Sequence, residues 1–170
     1  MANPQQYPPL PRLLLTLREE KIRFVIVGMS AAVIQGAPVV TFDTDIWIDL
    51  PARQYMRPAN LCLRLGATMR ANTVFVFPDD TIVNFLYAVT GLRSFAAEFK
   101  GARRMNWLGL RGVPVLPLDR IYRSKKAIRR PKDLAHMEVL RQLMACDKRI
   151  TAADRRTSNR NAARRKTNTR

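Results

Sequence analysis

The chain has 170 residues, 47% of them hydrophobic, so it is long enough for about one domain with a buried core. Its 30 Lys and Arg against 13 Asp and Glu give a formal net charge of +17, which favours polyanionic partners, nucleic acid above all. The longest apolar run, residues 24–34, is too short to span a bilayer and no signal peptide is evident, so we expect a cytoplasmic protein without membrane association.

The first half of the chain alternates helical and extended patterns. Residues 1–9 are polar and rich in proline, which predicts an extended arm before a domain over residues 10–147. Leucines at helical spacing predict a helix over residues 10–22, and a continuous apolar run predicts a buried strand over residues 24–27. Further elements are predicted in order: a short helix over residues 30–35, a strand over 44–50 and a helix over 51–65.

The second half contains the remaining strands and the basic helices. Strands are predicted over residues 73–77, 81–89, 104–110 and 113–116, the last two around a turn at Gly112, with a short helix over residues 93–100 between the two pairs. Helices follow over residues 118–129 and 131–145, and the Arg- and Lys-rich tail, residues 148–170, lacks the apolar residues of a core and is expected to be disordered alone. This order predicts an α+β fold, a small mixed sheet flanked by helices with a helical C-terminal part.

Two carboxylates, Asp43 and Asp45, stand where the second strand begins. Side chains alternate faces along a strand, so both point the same way at a spacing of about 6–7 Å. Mg²⁺ prefers such oxygen ligands, and two ions can hold the attacking and leaving oxygens of a phosphoryl transfer. The pair predicts a metal site for a nucleoside triphosphate; a solvated edge strand without function is the alternative. Asp49 shares the face but lies about 13 Å further on.

A glycine turn comes directly before the short helix. Gly28 and Ser30 lie between the strand over residues 24–27 and the helix over residues 30–35. Backbone N–H groups at a helix N-terminus bind phosphate, and the Ser30 hydroxyl can add a contact. The alternative is that Ser30 only caps the helix.

The glycine turn followed by the paired aspartates resembles the nucleotidyltransferase superfamily that includes polymerase β. Within it, the chain is most similar to small bacterial proteins of the abortive-infection and toxin–antitoxin type. The matching residues are, in order, Gly28, Ala31, Gly36, Thr41, Asp43 and Asp45. Residues 118–127 and 130–134 are similar to the basic helical motif of that family, which faces the nucleotide phosphates. The resemblance spans residues 24–143 and implies phosphate contacts from Lys125, Arg130 and Lys132; an ordinary solvated basic face is the alternative.

Several positions depart from the family pattern. Met29 and Val39 replace a small residue and an arginine of the family motif, and Asn84 stands where the family has its third carboxylate. An amide oxygen can ligate a metal but cannot accept a proton as a base. His136 stands where the family has another acid, and we expect it to be a surface residue of its helix. We expect Asp133 to pair with a neighbouring cation.

Two functions follow from the resemblance. The first is a Mg²⁺- or Mn²⁺-dependent nucleotidyltransferase that moves a nucleoside monophosphate from an NTP to an acceptor, for which the charge favours RNA, such as a tRNA end. The second is a degenerate protein, inactive at Asn84, that binds RNA within a larger assembly or forms a toxin–antitoxin pair with an acidic protein partner. In either case, arginine-rich segments often fold on RNA. The alternatives for the tail are a localisation signal or a solubilising end. The tail residues expected to bind RNA are Arg155, Arg156, Arg160, Arg164, Arg165 and Lys166.

Overall fold

The computed structural model describes residues 7–147, in which helices flank one mixed β-sheet. The helices are α1 (Pro9–Glu19), α2 (Gly28–Ile34), α3 (Met56–Arg64), α4 (Phe95–Lys100), α5 (Leu118–Ile128) and α6 (residues 131–147), with a 3₁₀ turn at Ala52–Gln54. The strands are β1 (Phe24–Ile26), β2 (Asp43–Ile48), β3 (Thr68–Ala71), β4 (Val74–Val76), β5 (Ile82–Leu86), β6 (Arg103–Trp107) and β7 (Leu110–Val115). The predicted α+β class and flanked mixed sheet are confirmed.

The sheet has seven strands in the order β3-β4-β5-β2-β1-β7-β6. β2 runs parallel to β5 and antiparallel to β1, and β1 runs parallel to β7. Hairpins add β4 and β3 at one edge and β6 at the other. The strand of the two aspartates is therefore interior and not an edge strand.

Buried apolar residues explain the central elements. The leucines predicted to line one face of α1 are all buried, and proline at its first turn costs no backbone hydrogen bond. All of β1 is buried, as expected for a central strand. Trp47 of β2 is also buried, because the Phe95 ring of α4 contacts it edge-on with ring centroids 5.4 Å apart. α4 thus covers part of the face that carries the aspartates.

Two hairpins differ from the predicted strands. Strand β3 was not predicted, because Thr68–Ala71 is a largely exposed edge strand without an alternating apolar pattern. The hairpin between β6 and β7 turns at Leu108 and Gly109, both with positive φ, whereas the sequence analysis centres the turn on Gly112. Two such residues form the two-residue turn that matches the twist of a hairpin.

Helix α5 meets α6 at a tight corner and packs against α2. Arg129 ends α5 in the left-handed conformation, with φ of 56°, and α6 begins two residues later. The corner turns the chain so that residues early in α6 contact the end of α5. Within residues 7–147 no helix is both long and apolar enough to cross a membrane.

Candidate active site

The two aspartates lie at the start of β2 with different exposure. Asp43 is exposed and accepts a hydrogen bond from the Thr41 hydroxyl, 3.2 Å from its Oδ1. Asp45 is half-buried, whereas Thr44 between them is buried, so the residues alternate between the two faces of the strand. Burial raises the pKa of Asp45, and the charge of Asp43 raises it further. The two carboxylates therefore interact electrostatically.

Gly28 brings the backbone of the turn against Asp45. Its φ is +64°, and a Cβ built on it would lie 2.5 Å from Asp45 Oδ2. A side chain at this position would collide with the carboxylate and also strain the backbone. The structure thus gives Gly28 a function that the sequence analysis did not identify, which is to leave room for Asp45.

Ser30 lies inside the protein, next to the same carboxylate. Its residue is 3% exposed, its hydroxyl donates to the Val27 carbonyl at 2.9 Å, and the Asp45 backbone N–H donates to that hydroxyl at 3.4 Å. The N-cap of α2 is Val27, so the capping role considered for Ser30 is wrong. The hydroxyl ties α2 to β1 and β2, and phosphate binding by Ser30 stays a prediction that requires the hydroxyl to turn away from Val27.

Asn84 lies beside Asp45 in the sheet. The parallel register of β2 and β5 pairs the two residues, and Asn84 Nδ2 donates to Asp45 Oδ1 at 2.9 Å. This hydrogen bond lowers the pKa of Asp45, which opposes the larger effect of burial. Asn84 is 39 residues from Asp45 along the chain, so only the sheet pairing brings them together.

The cations of the α5–α6 corner act on the same carboxylate. Lys125 and Lys132 lower the pKa of Asp45. The hydrogen bond that Arg130 donates to Asp133 raises the pKa of Arg130, and the charge of Asp45 raises it further. The three basic residues named from the sequence therefore lie within electrostatic range of Asp45. This arrangement combines paired carboxylates with a positively charged wall.

Asp133 holds two of these cations in place. It is fully buried, and its carboxylate accepts from Lys125 Nζ at 3.1 Å and from Arg130 Nε at 2.8 Å. The Arg130 backbone N–H donates to it as well, at 3.1 Å. These bonds, first those of Arg130, keep the pKa of Asp133 well below its usual range. The prediction that Asp133 pairs with a neighbouring cation is confirmed.

Comparison with solved structures shows similarity to the antibiotic-resistance factor ANT(2'')-Ia. Its solution structure matches with a TM-score of 0.51 and 14% identity, over 89% of this chain and 96% of that chain. A crystal structure of ANT(2'')-Ia in complex with adenylyl-2''-tobramycin matches with the same TM-score and identity, over 89% and 94% of the two chains. Comparison with protein-family models and with curated proteins gives no match.

This chain has a nucleotidyltransferase fold. At 14% identity the likeness shows the fold alone, and the resemblance to the abortive-infection and toxin–antitoxin type stays a prediction. Within this fold, the glycine turn, the two aspartates and the basic corner are the three parts that the sequence resemblance named.

His136 of α6 is less exposed than a residue on the surface of the helix, which is where the sequence predicts it. It is half-buried, and its buried Nδ1 has no hydrogen-bond partner within residues 7–147. Burial lowers its pKa, and the positive charge of Lys125 lowers it further. No local sequence pattern indicates the burial of His136, because it comes from the fold of the α5–α6 corner.

The donor set at β2 and β5 fits a divalent metal. Two carboxylates and one amide oxygen are hard ligands, and Mg²⁺ often takes only one or two carboxylates and completes its shell with substrate phosphates. Residues 7–147 contain no cluster of three or more His, Cys, Asp or Glu that could hold a metal ion. The predicted RNA-binding residues of the tail lie outside the described residues.

Proposed function

We propose that this protein is a divalent-metal-dependent nucleotidyltransferase that moves a nucleoside monophosphate from an NTP to an acceptor. The observation that carries the proposal is the convergence of the Gly28 turn, the Asp43–Asp45 pair and the cations of the α5–α6 corner. Phosphoryl transfer needs little beyond such positioning and electrostatic stabilisation. Each of the three parts contributes to holding and neutralising a triphosphate.

Asp43 and Asp45 are the residues that would hold Mg²⁺ or Mn²⁺, with Asn84 beside them. When bound, the metal neutralises charge on the phosphates and on the leaving oxygen. The half-buried Asp45 carboxylate, whose pKa burial raises, is best compensated by a nearby positive charge. Asp43 faces solvent, so a metal–nucleotide complex has direct access to it.

Lys125, Arg130 and Lys132 would offset the negative charge of the triphosphate. Lys125 is nearly buried and is fixed by Asp133, so its charge is already oriented before substrate binds. Arg130 leaves about half of its side chain exposed while its guanidinium is anchored, which suits a residue that contacts a ligand at the surface. Preorganised charges of this kind need no rearrangement during the reaction.

RNA is the acceptor that we propose, on the basis of charge. Residues 7–147 contain 21 Lys and Arg against 12 Asp and Glu, so the body is basic without the tail. Basic surfaces bind nucleic acid through phosphate contacts that do not depend on sequence. The toxin–antitoxin interpretation, its acidic protein partner and the cytoplasmic location stay predictions from the sequence.

The direct test is transfer of label from an NTP to total RNA in the presence of Mg²⁺. We expect Asp43→Ala to reduce transfer at least about a hundredfold, because a ligand of the metal ion that would hold the reacting phosphates is lost. Asp49→Ala is the matched control, since Asp49 follows the same strand but lies further from the site and pairs with Arg23. Equal activity of wild type and Asp43→Ala would remove the proposal.

A second candidate is the degenerate RNA-binding protein, and Asn84 is the observation that favours it. Asn84 donates a hydrogen bond to Asp45, so it acts as a partner of that carboxylate where a third acid would repel it. Asn84→Asp separates the two candidates. If only the Asn84→Asp variant transfers nucleotide, the natural protein is degenerate. If the wild type transfers nucleotide and the Asn84→Asp variant is similarly or more active, the result supports the enzyme.

A further inference from the structure

A cleft of about 270 Å³ opens beside Asp43 at the start of β2, and none of the α5–α6 corner cations lines it. Its walls come from α1, α2, the segment before β2, the start of β5 and the end of β6. The apolar part includes Val33, Ile82 and the rings of Phe42 and Trp107. Because Asp43 stands at its edge, a group bound there lies next to the proposed metal site.

The side chains of the cleft do not favour phosphate as its occupant. No Lys or Arg lines it, although residues 7–147 contain 21 of them, and its one charged residue is Asp43. Apart from a metal ion held by Asp43, the lining therefore offers no positive charge to a phosphate. An uncharged group fits the apolar part of the cleft, and the phosphates attached to that group lie outside it.

The lining combines an exposed ring with an unused hydroxyl. Phe42 is 85% exposed and lines the cleft, so the face of its ring is open to a ligand. Thr44 is only 8% exposed and lines the cleft, yet its hydroxyl makes no hydrogen bond to any residue within 7–147. A flat ring with polar edges fits both features, because its face can stack on the Phe42 ring and its edge can form a hydrogen bond with the Thr44 hydroxyl.

We propose that this cleft binds one unpaired nucleobase at the end of a single-stranded RNA acceptor. Single-stranded RNA is bound by stacking its bases on aromatic side chains while basic residues hold the backbone. The volume is just below that of clefts for drug-sized ligands, so it suits one base. The assignment of this RNA as acceptor rests on the proposed function, whereas the base-binding site itself does not require catalysis.

The test is a binding titration that uses Trp107 as its reporter. The chain has two tryptophans, and Trp47 is buried against Phe95, away from the cleft. A short RNA with a normal terminal base and the same RNA with an abasic terminal nucleotide carry equal phosphate charge. We expect the normal RNA to quench the fluorescence and to bind about tenfold more tightly, from the stacking of one base on an aromatic side chain.

Variants localise the effect. Phe42→Ala should reduce the affinity for the normal RNA to that of the abasic RNA, and Trp107→Phe should abolish the quenching. Leu63→Ala is the control, since Leu63 is an exposed residue of α3 outside the cleft. Equal affinities of wild type for the two RNAs would overturn the proposal. Quenching by ATP alone would also overturn it, because the donor base would then occupy the cleft. Base-dependent binding without nucleotide transfer would leave this site standing and count only against the proposed function.

Discussion

Gly28 shows how a single residue can limit the geometry of the site. Its backbone has a left-handed conformation, and the space that a Cβ would need is filled by the Asp45 carboxylate. Two separate costs therefore fall on any substitution, namely backbone strain and displacement of Asp45. Gly36 has φ of +97° but nothing within 4 Å of a built Cβ, so only the first cost applies there.

Gly28→Ala should lower the free energy of unfolding by more than about 1 kcal/mol, because alanine disfavours positive φ and its methyl group collides with Asp45. It should also weaken Mn²⁺-dependent binding of an ATP analogue, which thermal shift measures because ligand stabilises the folded state. Gly36→Ala is the matched control and should lose stability without losing ligand binding. If the two variants behave alike, the close approach at Gly28 has no role in the site.

Residue types and their spacing were enough to predict part of this site. Asp43, Asp45 and Gly28 stand in one local segment, and the alternation of a strand fixes which side chains share a face. Ser30 and His136 could not be placed in this way. Their environments depend on partners from distant elements, which a local pattern does not contain.

At the scale of elements, the corner between α5 and α6 is held by one buried acid. Asp133 of α6 accepts hydrogen bonds from Lys125 of α5 and from both the backbone and the guanidinium of Arg130 in the corner. Removing one partner of a buried ion pair leaves the other charge without compensation, which costs more than the pair contributes. Asp133 therefore both stabilises the corner and sets where the cations point.

Asp133→Asn should destabilise the protein by on the order of 3 kcal/mol at neutral pH. The pKa of Asp133 is lowered in the folded state, so its contribution is present above the unfolded value near 3.8 and is lost as pH falls below it. The difference between wild type and variant should then be smaller at about pH 3 than at pH 7 in urea unfolding. Glu138→Gln on the same helix is the control, because its exposed pair with Arg141 contributes little. A loss no larger than that of Glu138→Gln would contradict the assignment.

Element types were easier to predict than their ends. The apolar runs of β1, β5 and α1 identify buried elements directly. The turn at Leu108 and Gly109 was missed because leucine rarely adopts positive φ, so the sequence offered Gly112 as the better turn residue. Edge strand β3 was missed because exposed strands need no apolar alternation.

At the scale of the molecule, the site depends on pairings between distant segments. Asp45 meets Asn84 only through the parallel alignment of β2 with β5, and the basic corner reaches the aspartates because α5 packs against α2. The helix and strand patterns do not specify which strands become neighbours, so strand order could not be predicted from them. The family resemblance supplied this information for the aspartates and the basic helices.

The charge of the molecule leads to a prediction for its basic tail. Residues 151–170 contain seven Lys and Arg and one Asp, and each phosphate of single-stranded RNA that they neutralise contributes about 0.7 to the slope of log affinity against log salt. If they neutralise six phosphates, removing them should flatten this slope by about 4 units. Fluorescence anisotropy across a range of salt concentrations measures it. A variant that keeps the length but replaces these Lys and Arg with Gln should give the same flattening, since charge and not chain length carries the effect. An unchanged slope in both variants would exclude the tail from RNA binding.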